Sequence, residues 1–312
     1  MRPRIAIPVP HAGDPEYAAR ALPQYERAVE MAGGEPVAIP LDKTPEEIMR
    51  IIERCDGVLL PGSKADVDPA KYGAPRHPDT APADAKRDTV DELLLQDAYN
   101  MRKPILGICY GLQILNVYRS GSLLQHIESP LNHAAGRKVA VAHAVEVDPK
   151  SLLAEVVASG AEAQTSSGSE VARLKSCPSQ FVDDRRPDGR VNTEHHGSGS
   201  DPNREGHGFS RAEKAAKELG ALAPGGPLIP VNSSHHQSAD VIGDSLRVAA
   251  RCPDDGIIEA VEGTSPDHFV LAVQWHPERS VDDDSHSRAI FRALIEAARA
   301  RHEKLVGEFE GL

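Results

Sequence analysis

Leu106-Gly-Ile-Cys-Tyr-Gly111 is the stretch on which the fold turns. Pro104–Ile108 is an apolar run of strand length, and Leu112–Tyr118 takes up helical spacing directly after it. Between them, Gly107-Ile-Cys-Tyr-Gly111 has the form G-x-nucleophile-x-G, a strand-to-helix elbow with Cys in place of Ser. The two glycines have a steric reason, because side chains at those places in so tight a turn would collide with neighbouring elements. Such an elbow lifts Cys109 out of the sheet and sets it at a helix N-terminus, whose partial positive charge favours thiolate over thiol. The plainer reading of any lone cysteine is a small buried hydrophobe. Strand before and helix after favour the nucleophile at Cys109, whereas Cys55, Cys177 and Cys252 lack that setting and take the plainer reading.

Working outward, strand-like and helical segments alternate. Ile5–Val9, Pro36–Pro40 and Gly57–Leu60 read as short strands, the last closed by Pro61-Gly62. Tyr17–Ala32 has helical spacing and stops at Gly33-Gly34, Thr44-Pro45-Glu46-Glu47 is a helix start, and Thr89–Met101 is a further helix. Beyond residue 240, Leu246–Ala250, Ile257–Val261 and Phe269–Val273 are strand-like, and Ser287–Leu305 is an amphipathic terminal helix. This alternation predicts one α/β domain over 1–312, with an open, mostly parallel central sheet and helices on both faces. Ligands of such sheets bind beyond the carboxyl ends of the strands, so the reactive residues are expected just after strands.

Residues 160–226 break the pattern. They contain Ser166-Ser-Gly-Ser169, Arg185-Arg-Pro-Asp-Gly-Arg190 and Gly197-Ser-Gly-Ser-Asp-Pro202, and read as a long, polar, partly disordered surface insertion with a short helix at Arg211–Leu219. His195, His196 and His207 within it read as histidines of a solvated loop rather than metal ligands, and no metal or cofactor is expected.

The bulk properties exclude several classes. The chain has 312 residues, 40% hydrophobic and 26% charged, with a formal net charge of −12. That acidity offers nucleic acid or an anionic membrane no general attraction and is read as solubility. Four cysteines without CxxC spacing make neither a disulfide framework nor a zinc site. The apolar part of Met1–Pro10 is too short and too proline-rich for a signal peptide, and no run reaches the ~18 apolar residues of a membrane helix. A reducing cytoplasm is the expected compartment.

A thiol nucleophile needs a proton acceptor that later protonates the leaving amine, work suited to histidine and contributing roughly 10²–10⁴-fold. Among fourteen histidines, position decides. His276 follows the strand Phe269–Val273 within Gln274-Trp-His-Pro-Glu278, on the same sheet edge as Cys109. Glu278, two residues on across a proline bend, is placed to hold the other imidazole nitrogen and fix its tautomer.

Gly107-Ile-Cys-Tyr-Gly-Leu-Gln113 together with Ala272-Val-Gln-Trp-His-Pro-Glu278 resembles the class I glutamine amidotransferase superfamily. Leu60–Gly73, Arg87-Asp88 with Glu92, and Val231-Asn-Ser-Ser-His-His-Gln237 are similar to its γ-glutamyl-γ-aminobutyrate hydrolase branch, the peptidase C26 group. The resemblance covers nearly the whole chain except the insertion and implies a flavodoxin-like fold. It implies Cys109 as nucleophile, His276 as general base and acid, and Glu278 as its orienter. It also implies an oxyanion hole from the Gly62-Ser63 turn and the Tyr110 N–H. Gln113, Ser234 and His235 would face the glutamyl head group. The family often has a second glycine where this chain has Ser63, with an extra residue before Asp66. A Ser63 unable to adopt the turn would shift the oxyanion donor to a neighbour.

Three functions follow as expectations. The leading one is a free-standing hydrolase that cleaves a γ-glutamyl amide, such as γ-glutamyl-GABA, through a cysteinyl thioester. The second is a glutaminase subunit passing ammonia to a partner synthetase, and the third a non-catalytic protein binding a γ-glutamyl ligand. The expected partner is a small γ-glutamyl molecule, with the insertion a candidate lid or oligomer contact and a homodimer the assembly considered.

Overall fold

Apolar runs of four or five residues, each punctuated by Pro or Gly, become the strands β1 (Arg4–Pro8), β2 (Glu35–Ile39), β3 (Gly57–Leu60) and β4 (Ile105–Ile108). In this computed structural model, which describes residues 2–165 and 225–310, they pair in parallel with β11 (Val270–Val273) in the order β2-β1-β3-β4-β11. β3, β4 and β11 are buried at every residue, as strands covered on both faces must be.

Past β11 the sheet continues through β10 (Ile258–Gly263), β9 (Leu246–Arg251), β6 (His143–Val147) and β7 (Leu228–Val231), each antiparallel to its neighbour. Only β10 and β6 run against the other strands of this nine-stranded sheet, so one direction dominates as expected. β5 (Leu123–Leu124) and β8 (Ser238–Ala239) form a separate two-stranded ribbon.

Side chains alternate between two cores. Ile5, Ile7, Leu59, Leu106 and Ile108 pack toward α1 (Pro15–Met31), α5 (Leu152–Thr165) and α6 (Ser285–Glu310), where Phe291 and Leu294 meet them. Ala6, Val58, Leu60 and Ile105 pack toward α2 (Pro45–Ile52), α3 (Ala85–Met101) and α4 (Tyr110–Tyr118), against Leu94, Leu95, Leu112 and Leu115. Each fully buried Leu, Ile or Phe contributes about 1.5–3 kcal/mol, which fixes the strands that carry the site.

Helix starts follow local chemistry. The Thr44 hydroxyl accepts from Glu47 N at 3.3 Å, and the Glu47 carboxylate accepts from Thr44 N at 3.0 Å, a complete capping box. Asp84 caps α3 by accepting from Arg87 N at 3.2 Å, so that helix begins four residues before the expected Thr89. α4 starts at Tyr110 rather than Leu112, directly on the cysteine.

The antiparallel wing was not legible in full. β7 carries Pro230 inside its run, which argues against a strand unless the strand lies at an edge, and β7 is the outermost one. α5 continues to Thr165, so the first residues of the 160–226 stretch are helical. Arg211–Leu219, His195, His196 and His207 lie outside the described residues. Among the described residues, no helix is long and apolar enough to cross a membrane.

Candidate active site

The elbow is built by close approach. A methyl group on Gly107 would sit 2.8 Å from Gly111 O and 2.9 Å from Ala272 Cβ, and one on Gly111 would sit 2.1 Å from Leu60 O. The turn is thus wedged between β3 and β11. Cys109 itself takes φ +53° and ψ −106°, a conformation outside the ordinary allowed regions for a residue with a Cβ. Its N–H donates to Val273 O at 2.8 Å, extending the sheet by one residue, and its carbonyl accepts from Leu112 N and Gln113 N as α4 begins.

His276 leaves the carboxyl end of β11 and is buried. Its Nδ1 lies 2.8 Å from Glu278 Oε1 across the Pro277 bend. Burial disfavours the imidazolium and outweighs the attraction of Glu278, so the histidine titrates below its ordinary value. Burial would raise Glu278, but the His276 ring, its hydrogen bond and the Arg279 charge outweigh that and hold the carboxyl below its ordinary range. A carboxylate only accepts, so Nδ1 carries the hydrogen and the Nε2 lone pair is the basic site.

Gly62, just past β3, is where the nucleophile and base converge. A methyl group there would meet His276 Cε1 at 3.0 Å, Tyr25 Oη at 3.1 Å and Cys109 Cβ at 3.6 Å. Neither Gly62 nor Ser63 has positive φ. The expected demand for a special backbone at Ser63 is therefore not present, and Gly62 is required for space alone. The Gly62 N–H donates to the buried Tyr25 hydroxyl at 3.1 Å, so it is engaged rather than offered to a ligand. Among the described residues, no acceptor is bonded to the Ser63 N–H, while the Tyr110 N–H faces the Cys109 sulfur.

The state of the thiol corrects an expectation. Burial pushes Cys109 up to about 12, and the opposing influences of the Arg279 charge and the Tyr110 N–H do not overcome it. The helix N-terminus acts in the direction read from the sequence, but desolvation of a residue that is 6% exposed is the larger effect. Both shifts act toward the uncharged forms, a thiol beside an imidazole.

Of the three expected head-group residues, Gln113 and His235 meet at the Gln237 carbonyl, and Ser234 is held by Arg279. Gln113, one turn after Cys109, donates from Nε2 to Gln237 O at 3.2 Å. Ser234 Oγ accepts from Arg279 Nη1 at 2.8 Å. His235 turns away: its Nδ1 lies 3.0 Å from Gln237 O and its Nε2 3.6 Å from Glu259, so both ring nitrogens face inner partners.

Several residues of the quoted stretches have structural roles that the sequence did not assign. Asn232 clamps His276 from both sides, accepting from its N–H at 3.1 Å and donating to its carbonyl at 2.9 Å. Fully buried Arg87 ties the site's frame together, donating to Pro10 O at 2.9 Å, Pro61 O at 2.8 Å and Asp91 at 2.8 Å, with its guanidinium 5.1 Å from the Tyr110 ring centroid. Tyr110 Oη donates to Asp88 at 2.6 Å. Arg87-Asp88 and Asn232 stand in stretches that carry the resemblance, and Arg87-Asp91 has i,i+4 spacing, but none of these signals named the contact each side chain makes.

A parallel α/β sheet with a cysteine elbow on one strand, and a histidine and carboxylate at the end of the next, defines a glutamine amidotransferase-like protein. The Peptidase C26 family profile matches residues 9–197 and 213–278, and the chain belongs to that family. It is 30% identical over 287 residues to the gamma-glutamyl-gamma-aminobutyrate hydrolase PuuD of Escherichia coli K12, covering 88% of this chain and 85% of that one. It is 28% identical over 289 residues to the "Putative glutamine amidotransferase-like protein RP404" of Rickettsia prowazekii, covering 93% and 92%. A crystal structure from Thermoplasma acidophilum, described as "a putative gmp synthase subunit a protein", shares the fold with a TM-score of 0.54 at 14% identity, over 98% of each chain.

Proposed function

We propose that the protein hydrolyses a γ-glutamyl amide, with Cys109 as nucleophile, His276 as general base and acid, and Glu278 as its orienter. The observation that carries this is the convergence of Cys109 and a Glu278-held His276 on the space above Gly62. The γ-glutamyl class is supported by the Peptidase C26 membership and by the named activity of the Escherichia coli relative.

In the first half-reaction, His276 Nε2 takes the thiol proton as sulfur attacks the γ-carbonyl carbon. The carbonyl π pair moves onto oxygen, and the Ser63 and Tyr110 N–H groups receive the charge, each such donor contributing about 2.7–4 kcal/mol. Collapse expels the amine, which leaves with the proton from His276, and a γ-glutamyl thioester remains. In the second half, His276 deprotonates water, the hydroxide attacks the thioester, and sulfur departs and regains the proton. Starting from a neutral pair, the thiolate is generated during attack rather than stored. Arg279, whose charge acts on Cys109 and which holds Ser234, is the group we assign to a substrate carboxylate.

Purified protein incubated with γ-glutamyl-GABA and a panel of γ-glutamyl amides, with glutamate release measured, tests this. Release from at least one, abolished in Cys109→Ala, is expected, and none from a folded protein would overturn it. The second reading, a glutaminase subunit, draws on the glutamine amidotransferase-like Rickettsia relative. It predicts weak release from glutamine alone and a stable complex with a synthetase.

A further inference from the structure

A second cluster lies one strand beyond the catalytic strand, and the chemistry above does not use it. His133, in the β5–β6 connection, His143 at the start of β6, His235 after β7, and Glu259 on β10 point their side chains at one another. They are 3%, 7%, 4% and 0% exposed. His133 Nδ1, His143 Nε2, His235 Nε2 and both Glu259 oxygens find no hydrogen-bond partner among the described residues.

The outward ring nitrogens explain why. His133 Nε2 faces the Asp255 carboxylate at 2.8 Å, His143 Nδ1 the Ala144 carbonyl at 3.2 Å, and His235 Nδ1 the Gln237 carbonyl at 3.0 Å. Carboxylates and carbonyls only accept, so each outward nitrogen carries the hydrogen and each inward one, in a neutral ring, presents a lone pair. With the three rings neutral, three lone pairs and a carboxylate are aimed into one dry space, an arrangement that a bound cation relieves.

The spacing fits a particular one. Glu259 Oε1 lies 3.2, 3.4 and 3.6 Å from the inward nitrogens of His133, His143 and His235. A tetrahedral ion with bonds of about 2.0–2.1 Å has ligand–ligand edges of about 3.3–3.4 Å. Each histidine already has the oxygen partner on its far nitrogen that metal-bound histidines keep, and Asp255 is itself held by Ser129 Oγ at 2.6 Å and Ile257 N at 3.1 Å.

We propose that His133, His143, His235 and Glu259 bind one divalent transition-metal ion, Zn²⁺ by their N₃O donor set and four-coordinate geometry. Four protein ligands close the shell, so the ion is structural. It joins β6 and β10 to the segment after β7, where Ser233 Oγ and the His235 N–H both bond to His133 O. That segment begins at Asn232, the clamp on His276, so the ion steadies the catalytic histidine from a distance. The site does not depend on which substrate is hydrolysed.

Metal analysis of full-length protein from zinc-supplemented medium tests it, with about one Zn²⁺ per chain expected. Chelated protein refilled with Co²⁺ is expected to give the intense visible bands of a tetrahedral ion, a readout that needs no variant. Glu259→Gln and His143→Gln should each abolish stoichiometric uptake, and Asp255→Asn should weaken it about 10–100-fold. Wild-type protein that takes up neither ion, a weak octahedral Co²⁺ spectrum, or uptake unchanged in both ligand variants would overturn the assignment.

Discussion

Replacing Gly62 with alanine tests the geometry of the site most directly. The added methyl carbon would lie 3.0 Å from His276 Cε1 and 3.1 Å from Tyr25 Oη, with Cys109 Cβ at 3.6 Å. Comfortable contacts between such atoms begin near ~3.5 Å, so two of the three are short by roughly half an ångström. Backbone strain adds nothing, since φ at this residue is not positive. Tyr25 and His276 are both buried and hydrogen-bonded, so relieving the contacts displaces the imidazole as well as the phenol. Overpacking of this kind costs about 1–3 kcal/mol, equivalent to a fall in Tm of roughly 1.5–5 °C for a chain of this size. Catalysis should suffer more than stability, because a misplacement of 1 Å between reacting groups removes about 10²-fold. A shift of half that size predicts a loss of about tenfold or more in kcat, with KM close to wild type. Glutamate release provides the assay, and the pH profile of Cys109 alkylation provides a control independent of substrate. Wild-type kcat in Gly62→Ala, with an unaltered alkylation profile, would show that nucleophile and base do not converge there.

Other expectations follow from the same contacts. Glu278→Gln keeps the shape but no longer fixes the His276 tautomer, and should lower kcat by about 10⁴ in steady-state assays with little change in fold. Asn232→Ala leaves the buried His276 N–H and carbonyl unpaired, at about 1–3 kcal/mol each, and thermal melts should show the loss. Its kcat should fall at least tenfold while Asn232→Asp, which retains the acceptor, falls less. Because burial lowers His276, the neutral base persists below its ordinary value of 6.5, so kcat/KM should fall with acid only through a pH below 6.5. Because burial pushes the Cys109 thiol up to about 12, thiolate absorbance should be absent at neutral pH, and a thiolate signal at pH 7 would contradict the neutral resting pair.

What could be read from the chain is what short-range geometry dictates. Gly107 and Gly111 announce the elbow because the collisions they avoid follow from any strand–turn–helix of that tightness. The His276-Pro277-Glu278 pairing is a two-residue reach across a rigid bend. Asn232 was invisible as a clamp because it acts across 44 residues, and Tyr25 holds Gly62 across 37. β7 was hidden by Pro230, which is harmless only at an edge that no local pattern reveals. The thiol's state was misread for a related reason: the helix end is local and legible, whereas desolvation sums over everything packed around Cys109. The buried histidine cluster was hidden for the same reason. His195, His196 and His207 stand near one another in the chain, but the described cluster draws His133 and Glu259 together from 126 positions apart.

The backbone at Cys109 carries a consequence for how such a protein changes over generations. A non-glycine residue held at φ +53° and ψ −106° forfeits roughly 1–3 kcal/mol of folding stability, a debit that glycine would largely remove. Every descendant freed from the need for a reactive sulfur therefore gains robustness by discarding it, and drift alone runs toward an inert elbow. A cysteine that persists at that position is one whose chemistry outweighs its conformation.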